Sequence, residues 1–270
     1  MPFRTFTLVA GLARRHTGRL KLAVLAVQEY VELSWRGLAA LARGPRYGSD
    51  ILHQMDSLGV GSLPIVVLTG MFTGMVLALQ SSATLDSFGA RPYVGRLVAL
   101  SMVRELGPVL TALMVTGRVG SGMAAELGSM VVTQQIDALR VLGTDPVRKL
   151  VAPRIAAGIV MVPLLTVISN ALGIFGGGLI SVFNLKLSWE FYWRSVGGAL
   201  VFNDIVMGLA KPVVFGFLLT SVGCFMGLRA TGGTQGVGIA TTKAVVAASI
   251  LIVTSDFFVT RLLLILFPVA

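Results

Sequence analysis

The stretch from Ser57 to Leu85 reads SLGVGSLPIVVLTGMFTGMVLALQSSATL and contains no charged residue. A second uncharged stretch runs from Ile155 to the residue before Lys186. Each is longer than the about twenty apolar residues that an α-helix needs to cross the hydrocarbon core of a bilayer. Over the whole chain of 270 residues, 55% are hydrophobic, only 13% are charged and the mean hydropathy is +0.85. A soluble domain needs more polar surface than this, so the sequence predicts an all-α integral membrane protein.

Hydropathy predicts five transmembrane helices, at about 57–85, 94–117, 153–183, 194–228 and 238–267. Before them, polar residues spaced by seven and four share one stripe of an otherwise apolar helix, namely Lys21, Gln28, Glu32, Arg36 and Arg43. Such a helix is typical of the membrane surface, and a first spanning helix with a polar seam is the alternative. We therefore divide the chain into an N-terminal region, 1–56, which ends after a Gly44-Pro45 break, and a transmembrane domain, 57–270. No cleavable signal peptide is predicted.

The distribution of Lys and Arg predicts the orientation of the chain. With the N-terminus in the cytoplasm, 15 of the 22 Lys and Arg residues fall in cytoplasmic segments. Cytoplasmic loops are enriched in these residues, so this orientation is favoured. The net charge of +10 is then mainly a topology signal rather than evidence for nucleic-acid binding. The basic N-terminus also favours anionic lipid head groups.

Among the charged residues inside the predicted spans, four stand out: Arg104, Glu105, Lys211 and Asp256. At about 1.5 Å per helical residue, they lie at a similar depth on three helices, in the middle to outer part of the membrane. A charge in the bilayer is costly unless it is paired or hydrated, so these residues are candidates for function. A structural ion-pair network, a polar patch for an amphipathic substrate, and an ion or proton path all remain open at this point.

Three glycine pairs have the spacing that lets helix backbones approach closely: Gly70 and Gly74, Gly173 and Gly177, and Gly223 and Gly227. They predict tight helix packing within the chain or between subunits. The single cysteine, Cys224, lies in an apolar run, which excludes an intrachain disulfide and favours a packing role.

Enzymatic chemistry finds little support in the sequence. No Gly-x-x-x-x-Gly-Lys-[Ser/Thr] phosphate loop occurs, so energy must come from a partner or a gradient. His16 and His53 are isolated outside the spans, and Ser121 lacks the pattern of a nucleophile elbow. We therefore predict no catalytic site and no metal site in this chain.

The segment between the second and third spans, about 118–150, ends in a predicted helix from Glu126 to Leu142. That helix is short and amphipathic, and Gly143 and Pro146 follow it as stop signals. On the cytoplasmic side, its apolar face must be buried either on the membrane domain or on a partner protein.

The run from Glu105 to Leu139 resembles the MlaE/YrbE permease family, the membrane subunits of ABC transporters that move lipids together with MCE-domain proteins. Further matches are Lys211 in Gly-Leu-Ala-Lys-Pro, the stretch GGTQGVG at 232–238, and Thr254-Ser-Asp256-Phe-Phe. The resemblance covers nearly the whole chain after the N-terminal helix. One position departs from it, since the family usually has glutamate where this chain has Gln134.

The resemblance implies a homodimer in the bacterial inner membrane, flanked by two cytoplasmic ATPase subunits, which bind ATP and Mg²⁺, and capped by a periplasmic MCE-domain protein. It allows for a small accessory protein bound to the ATPase. The chain itself would carry no cofactor. The implied function is phospholipid transport between inner and outer membranes, which maintains the lipid asymmetry of the outer membrane.

The resemblance also implies roles for individual residues. Arg104, Glu105, Lys211 and Asp256 would line or support an outward-open lipid cavity, with apolar walls that include Leu77, Thr84, Leu85 and Phe88. The coupling segment would contact the ATPase through Glu126, Gln134, Gln135, Asp137 and Leu139. The alternatives are a transporter or channel driven by an ion or proton gradient, and a membrane scaffold that transports nothing.

Overall fold

The computed structural model describes residues 21, 24–41 and 47–267, and these residues form helices joined by short turns. In chain order the helices are α1 (24–41), α2 (Gly48–Asp86), α3 (Arg91–Val132), α4 (Gln135–Val141), α5 (Val147–Phe183), α6 (Trp189–Gly197), α7 (Phe202–Leu228) and α8 (Gly233–Leu266). Among the described residues, five helices are long and apolar enough to cross a membrane: α2, α3, α5, α7 and α8. The predicted all-α membrane fold with five spans is confirmed.

The outward faces of the long helices are apolar. Phe72 on α2 and Ile250 and Phe257 on α8 are among the many large hydrophobic side chains that the bundle leaves exposed. Such a surface is stable in lipid and unstable in water. The buried core has three parts, one at each end of the bundle and one in its middle, where Leu58, Val115, Leu165 and Phe215 pack together.

Successive spans run in opposite directions, and the loops and short helices between them lie at the two ends of the bundle. At the α1 end, α1 packs on α5 and α7, with Gly37 against Ile155 and the Tyr30 hydroxyl 2.9 Å from Ser221 Oγ. The α6 end carries the turn between α2 and α3 and the short helix α6. Helix α1 is not one of the five candidate spans. Arg43 of the predicted polar stripe, His16 and the Gly44-Pro45 break lie outside the described residues.

The predicted fourth span, 194–228, is wrong in its first part. Helix α6 ends at Gly197 and α7 begins only at Phe202. The Gly197-Gly198 pair favours termination because glycine loses more backbone entropy in a helix than other residues do. Helix α6 is a separate element with its own N-cap, since Ser188 Oγ accepts a hydrogen bond from the Phe191 amide.

Other predicted boundaries also differ from those of the structure. Helix α2 begins at Gly48 and passes without interruption through the polar stretch before Ser57, and α3 continues to Val132, well beyond the predicted end at 117. Helix α3 also contains two π-helical turns, at Met102–Leu106 and Thr116–Gly120. Turns of this kind are rare and often mark functional positions, and the first of them contains Arg104 and Glu105.

The glycine pairs bring helices into close contact, as predicted. A Cβ atom built on Gly74 of α2 would overlap the carbonyl oxygen of Gly173 on α5, and one on Gly70 would lie 2.8 Å from the carbonyl oxygen of Ser169. On α7, a Cβ on Gly227 would lie 2.9 Å from the carbonyl oxygen of Ala124 on α3. All three pairs therefore act within the chain.

Candidate functional site

Lys211 is at the centre of the charged residues within the membrane. Its side chain is only 1% exposed, and its Nζ lies 2.7 Å from Glu105 Oε2 and 3.2 Å from Asp256 Oδ1. Nζ also donates a hydrogen bond of 2.8 Å to the carbonyl oxygen of Arg104. The contacts join α3, α7 and α8, so the predicted common depth of the charges on three helices is confirmed.

The Arg104 carbonyl is available to Lys211 for a local reason. In a regular α-helix it would accept from the amide of residue 108, but residue 108 is proline and has no N–H. The π-helical turn Met102–Leu106 lies at the same place, and the Gly107 amide bonds back to the Met102 carbonyl. A buried carbonyl without a partner is costly, and the Lys211 ammonium satisfies this one.

Asp204, on the first turn of α7, belongs to the same group of charges and was missed by the sequence analysis. Its Oδ1 lies 2.6 Å from Arg104 Nη2 and accepts a 2.7 Å hydrogen bond from Nε, and its Oδ2 accepts from the Val201 amide. The available signal was its spacing: Asp204 precedes Lys211 by seven residues, which places both on one face of a helix.

The charge cluster, defined as Arg104, Glu105, Asp204, Lys211 and Asp256, thus contains two cations and three carboxylates. Each cation already has a carboxylate partner within the chain. Pairing is what makes charge tolerable at this depth. An additional anion at this cluster would have to compete with a carboxylate for Arg104 or Lys211.

A cavity of about 320 Å³ opens beside the cluster. Glu105 and Arg104 line it and are the more accessible members, with side chains 45% and 31% exposed. The remaining lining is mostly apolar, with two hydroxyl groups, and consists of Leu100, Ser101, Met207, Thr260 and Leu264 together with Lys211. The Thr260 hydroxyl oxygen is buried without a hydrogen-bond partner among the described residues. The cavity therefore combines charged groups of both signs with an apolar wall.

The predicted wall residues on and after α2 do not line this cavity. Leu77 lines a separate groove of about 320 Å³ with Phe72, Val76 and Leu106, among others. Leu77 and Leu85 pack partly buried against the core at the α6 end. The Thr84 hydroxyl bonds to the Gln80 carbonyl, and Phe88 is exposed in the turn after α2. Their role in a lipid cavity stays a prediction.

The predicted helix from Glu126 to Leu142 is wrong as a single element. Helix α3 ends at Val132, and α4 begins at Gln135 after Gln134, which has left-handed backbone angles (φ 59°). The β-branched run Val131-Val132-Thr133 has low helix propensity, which favours a break here. The predicted stop is confirmed, since Gly143 has φ +76° and the Thr144 amide bonds to the Leu139 carbonyl.

The predicted coupling residues occupy different environments. Glu126 pairs at 2.7 Å with the buried Arg154 of α5, so it connects α3 to α5. Gln134, Gln135 and Asp137 are exposed, Leu139 is half-buried, and Asp137 pairs at 2.9 Å with Arg140. Ile136 anchors α4 in the bundle. Sequence reasoning missed the exposed pair Val141 and Leu142, which are 88% and 78% exposed.

The family model described as "Permease MlaE" matches residues 51–262, which include most of α2 and α8, all of the helices between them, and the charge cluster. The chain belongs to the MlaE permease family. Among its relatives, a "Probable ABC transporter permease protein" of Rickettsia typhi is 41% identical over 94% of this chain and 97% of its own length.

Two further relatives extend the comparison. The "Intermembrane phospholipid transport system permease protein MlaE" of Haemophilus influenzae is 39% identical over 79% of this chain and 82% of its own length. A chloroplastic protein of Arabidopsis thaliana, "Protein TRIGALACTOSYLDIACYLGLYCEROL 1", is 36% identical over 83% of this chain and 67% of its own length. The MlaE family assignment thus rests on similarity along most of the chain.

Proposed function

We propose that this MlaE-family protein is the membrane subunit of an ABC transporter that moves phospholipid between membranes. Its similarity to the Haemophilus influenzae permease of an intermembrane phospholipid transport system carries the proposal. The relative from Rickettsia typhi, named as an ABC transporter permease, supports an ATP-driven mechanism. A separate ATPase, with ATP and Mg²⁺, then supplies the energy. None of the relatives named above is described as an ion-coupled transporter.

The excess of Lys and Arg in the N-terminal region and in the loops at the α1 end supports a cytoplasmic location for that end, in the bacterial inner membrane. Helix α4 then faces the cytoplasm. Its exposed Gln135 and Asp137 and the apolar pair Val141 and Leu142 offer a contact surface for the ATPase. A buried apolar anchor surrounded by polar contacts is the usual form of a protein interface. The Glu126–Arg154 pair connects this surface to α5.

The cavity beside the charge cluster is the proposed contact site for the lipid head group. Its lining offers a cation, Arg104, and an anion, Glu105, that are both partly exposed, and apolar side chains beside them. An amphipathic substrate requires this combination of surfaces. Lys211 is buried between two carboxylates and, in this proposal, connects the three helices rather than binding the lipid.

The full transporter is proposed to contain a second copy of this chain, a periplasmic MCE-domain protein above the α6 end, and a small accessory protein on the ATPase. In such a dimer, we propose that the groove beside Leu77 and the exposed Phe88 line a lipid cavity between the two copies. These partners come from the family resemblance and are to be tested together with the transport activity.

The test is purification of the tagged protein from its native membranes, followed by identification of partners and bound lipid. We expect an ATPase and phospholipid to co-purify, and the complex in proteoliposomes to transfer labelled phospholipid only with ATP. Glu105→Gln should lower the transfer rate about tenfold without loss of assembly, because the neutral amide keeps the shape of the side chain and removes its charge.

Glu32→Gln is the matched control, because Glu32 forms an exposed ion pair with Arg36 on α1. It should transfer lipid at the wild-type rate. Lipid transfer that needs no ATPase and follows an imposed ion gradient would refute the proposal and favour the gradient-driven alternative. Recovery of neither ATPase nor phospholipid would also overturn it.

A further inference from the structure

A second and larger cavity, of about 480 Å³, lies at the α1 end of the bundle. It opens between α1, the last turn of α7 and the first turns of α8. Arg229, at its edge, follows Lys211 by 18 residues, which corresponds to about 27 Å along a helix. The cavity is therefore separate from the charge cluster.

The charged residues that line this cavity are basic. Arg229 and Lys243 both line it, and no acidic residue does so among those described. The Arg229 guanidinium lies 5.2 Å from the centre of the Phe225 ring and 3.5 Å from the Glu29 carboxylate. Both side chains of the Arg229–Glu29 pair are about half exposed, and exposed pairs of this kind contribute little to stability. An anionic ligand can therefore replace Glu29 as the partner of Arg229.

The rest of the cavity wall is mainly apolar and is continuous with the outside of the bundle. Ala26, Met226, Ile239 and Ala240 contribute to it. Ile239 is half exposed, and Val246, seven residues later on the same face of α8, is also exposed. This face provides an apolar path from the two basic residues along the membrane-spanning part of α8.

The basic residues lie at the level where lipid head groups are expected. Arg229 comes directly after the last residue of α7, Leu228. On α8, Lys243 precedes a stretch without charge that extends to Asp256. Basic residues at the ends of spans are located at the boundary between hydrocarbon and water, where they attract anionic lipids.

We propose that this cavity binds a phospholipid with a net negative head group as a resident lipid, distinct from the lipid that is transported. The lipid phosphate lies between Arg229 and Lys243, and an acyl chain follows the face of Ile239 and Val246. The bound lipid connects α1 to α7 and α8. This inference does not depend on the proposed transport function.

The test is native mass spectrometry of the purified full-length chain with its co-purifying partners, after addition of phosphatidylglycerol or phosphatidylcholine. Wild-type protein should retain phosphatidylglycerol in preference to phosphatidylcholine. Arg229→Gln and Lys243→Gln should each weaken that retention about fivefold, and the double variant about 25-fold. Glu29→Gln should strengthen it, because it removes the carboxylate that competes for Arg229.

Arg194→Gln is the control, since Arg194 is an exposed cation at the opposite end of the bundle. It should retain phosphatidylglycerol as the wild type does, and retention of phosphatidylcholine should be equal in all variants. The proposal is overturned if the double variant retains phosphatidylglycerol like the wild type. It is also overturned if inorganic phosphate at equal concentration displaces the lipid, because the site would then bind the free anion.

Discussion

The interface between α2 and α5 differs fundamentally from the contact of α8 with α3 and α7. The first is built on Gly70, Gly74 and Gly173, whose missing side chains let backbone atoms touch. The second is built on Lys211, its two carboxylates and a cavity of about 320 Å³. Close backbone packing leaves no room for movement, whereas ion pairs beside free volume can be exchanged. We therefore expect α2 and α5 to move as one unit, and α8 to move relative to α3 and α7 around the Lys211–Asp256 pair.

The largest effect is expected from filling the glycine interface. Gly74→Leu should yield no folded protein, because its Cβ atom overlaps the Gly173 carbonyl and the helices would have to separate. Even smaller overpacking in a core costs about 1–3 kcal/mol. The measurement is the yield of monodisperse protein in gel filtration after detergent extraction.

Gly238→Leu is the matched control, because a Cβ atom on Gly238 meets no atom within 4 Å. It should give wild-type yield. If Gly74→Leu folded normally, α2 and α5 could separate without loss of the fold. The α2–α5 interface would then be no more rigid than the charged interface.

The charged interface should be sensitive to unpaired charge rather than to volume. Lys211→Met should destabilise the protein by about 3 kcal/mol, because Glu105 and Asp256 lose their shared cation. The triple variant Lys211→Met, Glu105→Gln, Asp256→Asn should recover most of this loss, since no buried charge is then left unpaired. Thermal unfolding in detergent measures both variants.

Arg91→Met supplies the comparison, because Arg91 and Asp86 form an ion pair with half-exposed side chains at the α6 end. Its effect should be at most about 1 kcal/mol. If the triple variant were as unstable as Lys211→Met, charge pairing would not account for the stability that Lys211 contributes.

These two interfaces were predictable from the sequence to different degrees. Glycine spacing identified Gly70, Gly74 and Gly173, because contacts of this type depend on local pattern. Depth along the helices brought Lys211, Glu105 and Asp256 to one level. Depth does not determine how a helix is rotated, so it did not indicate which cavity Leu77 lines. Asp204 was missed although its spacing of seven residues from Lys211 was available.

The break between α3 and α4 was also beyond the sequence analysis. Hydropathy and stop signals located the end of the segment at Gly143, where glycine relieves a left-handed backbone. The left-handed residue at the break is Gln134, which carries no comparable signal. Ile136, two residues later, is buried, and burial of this kind is not contained in a local pattern.

The smallest effect is expected at Tyr192, where α6 packs on α5 beside the α2–α5 interface. The Tyr192 ring packs against Gly177 and Gly178 of α5, and its hydroxyl donates a 2.7 Å hydrogen bond to the Ile174 carbonyl. Tyr192→Phe keeps the ring and removes the hydrogen bond, so we expect a loss of about 1 kcal/mol, measured by thermal unfolding.

The pH dependence of the stability lost in Tyr192→Phe distinguishes the contribution of the hydroxyl group from that of the ring. Burial raises the pKa of the Tyr192 phenol above its ordinary value of 10.0, so the folded state favours the protonated form. Because the folded pKa exceeds the unfolded pKa, this contribution is complete below pH 10 and is lost as pH rises further. The stability difference between wild type and Tyr192→Phe should therefore shrink above pH 10. If Tyr192→Phe lost no stability at any pH, ring packing against Gly177 and Gly178 alone would close the interface.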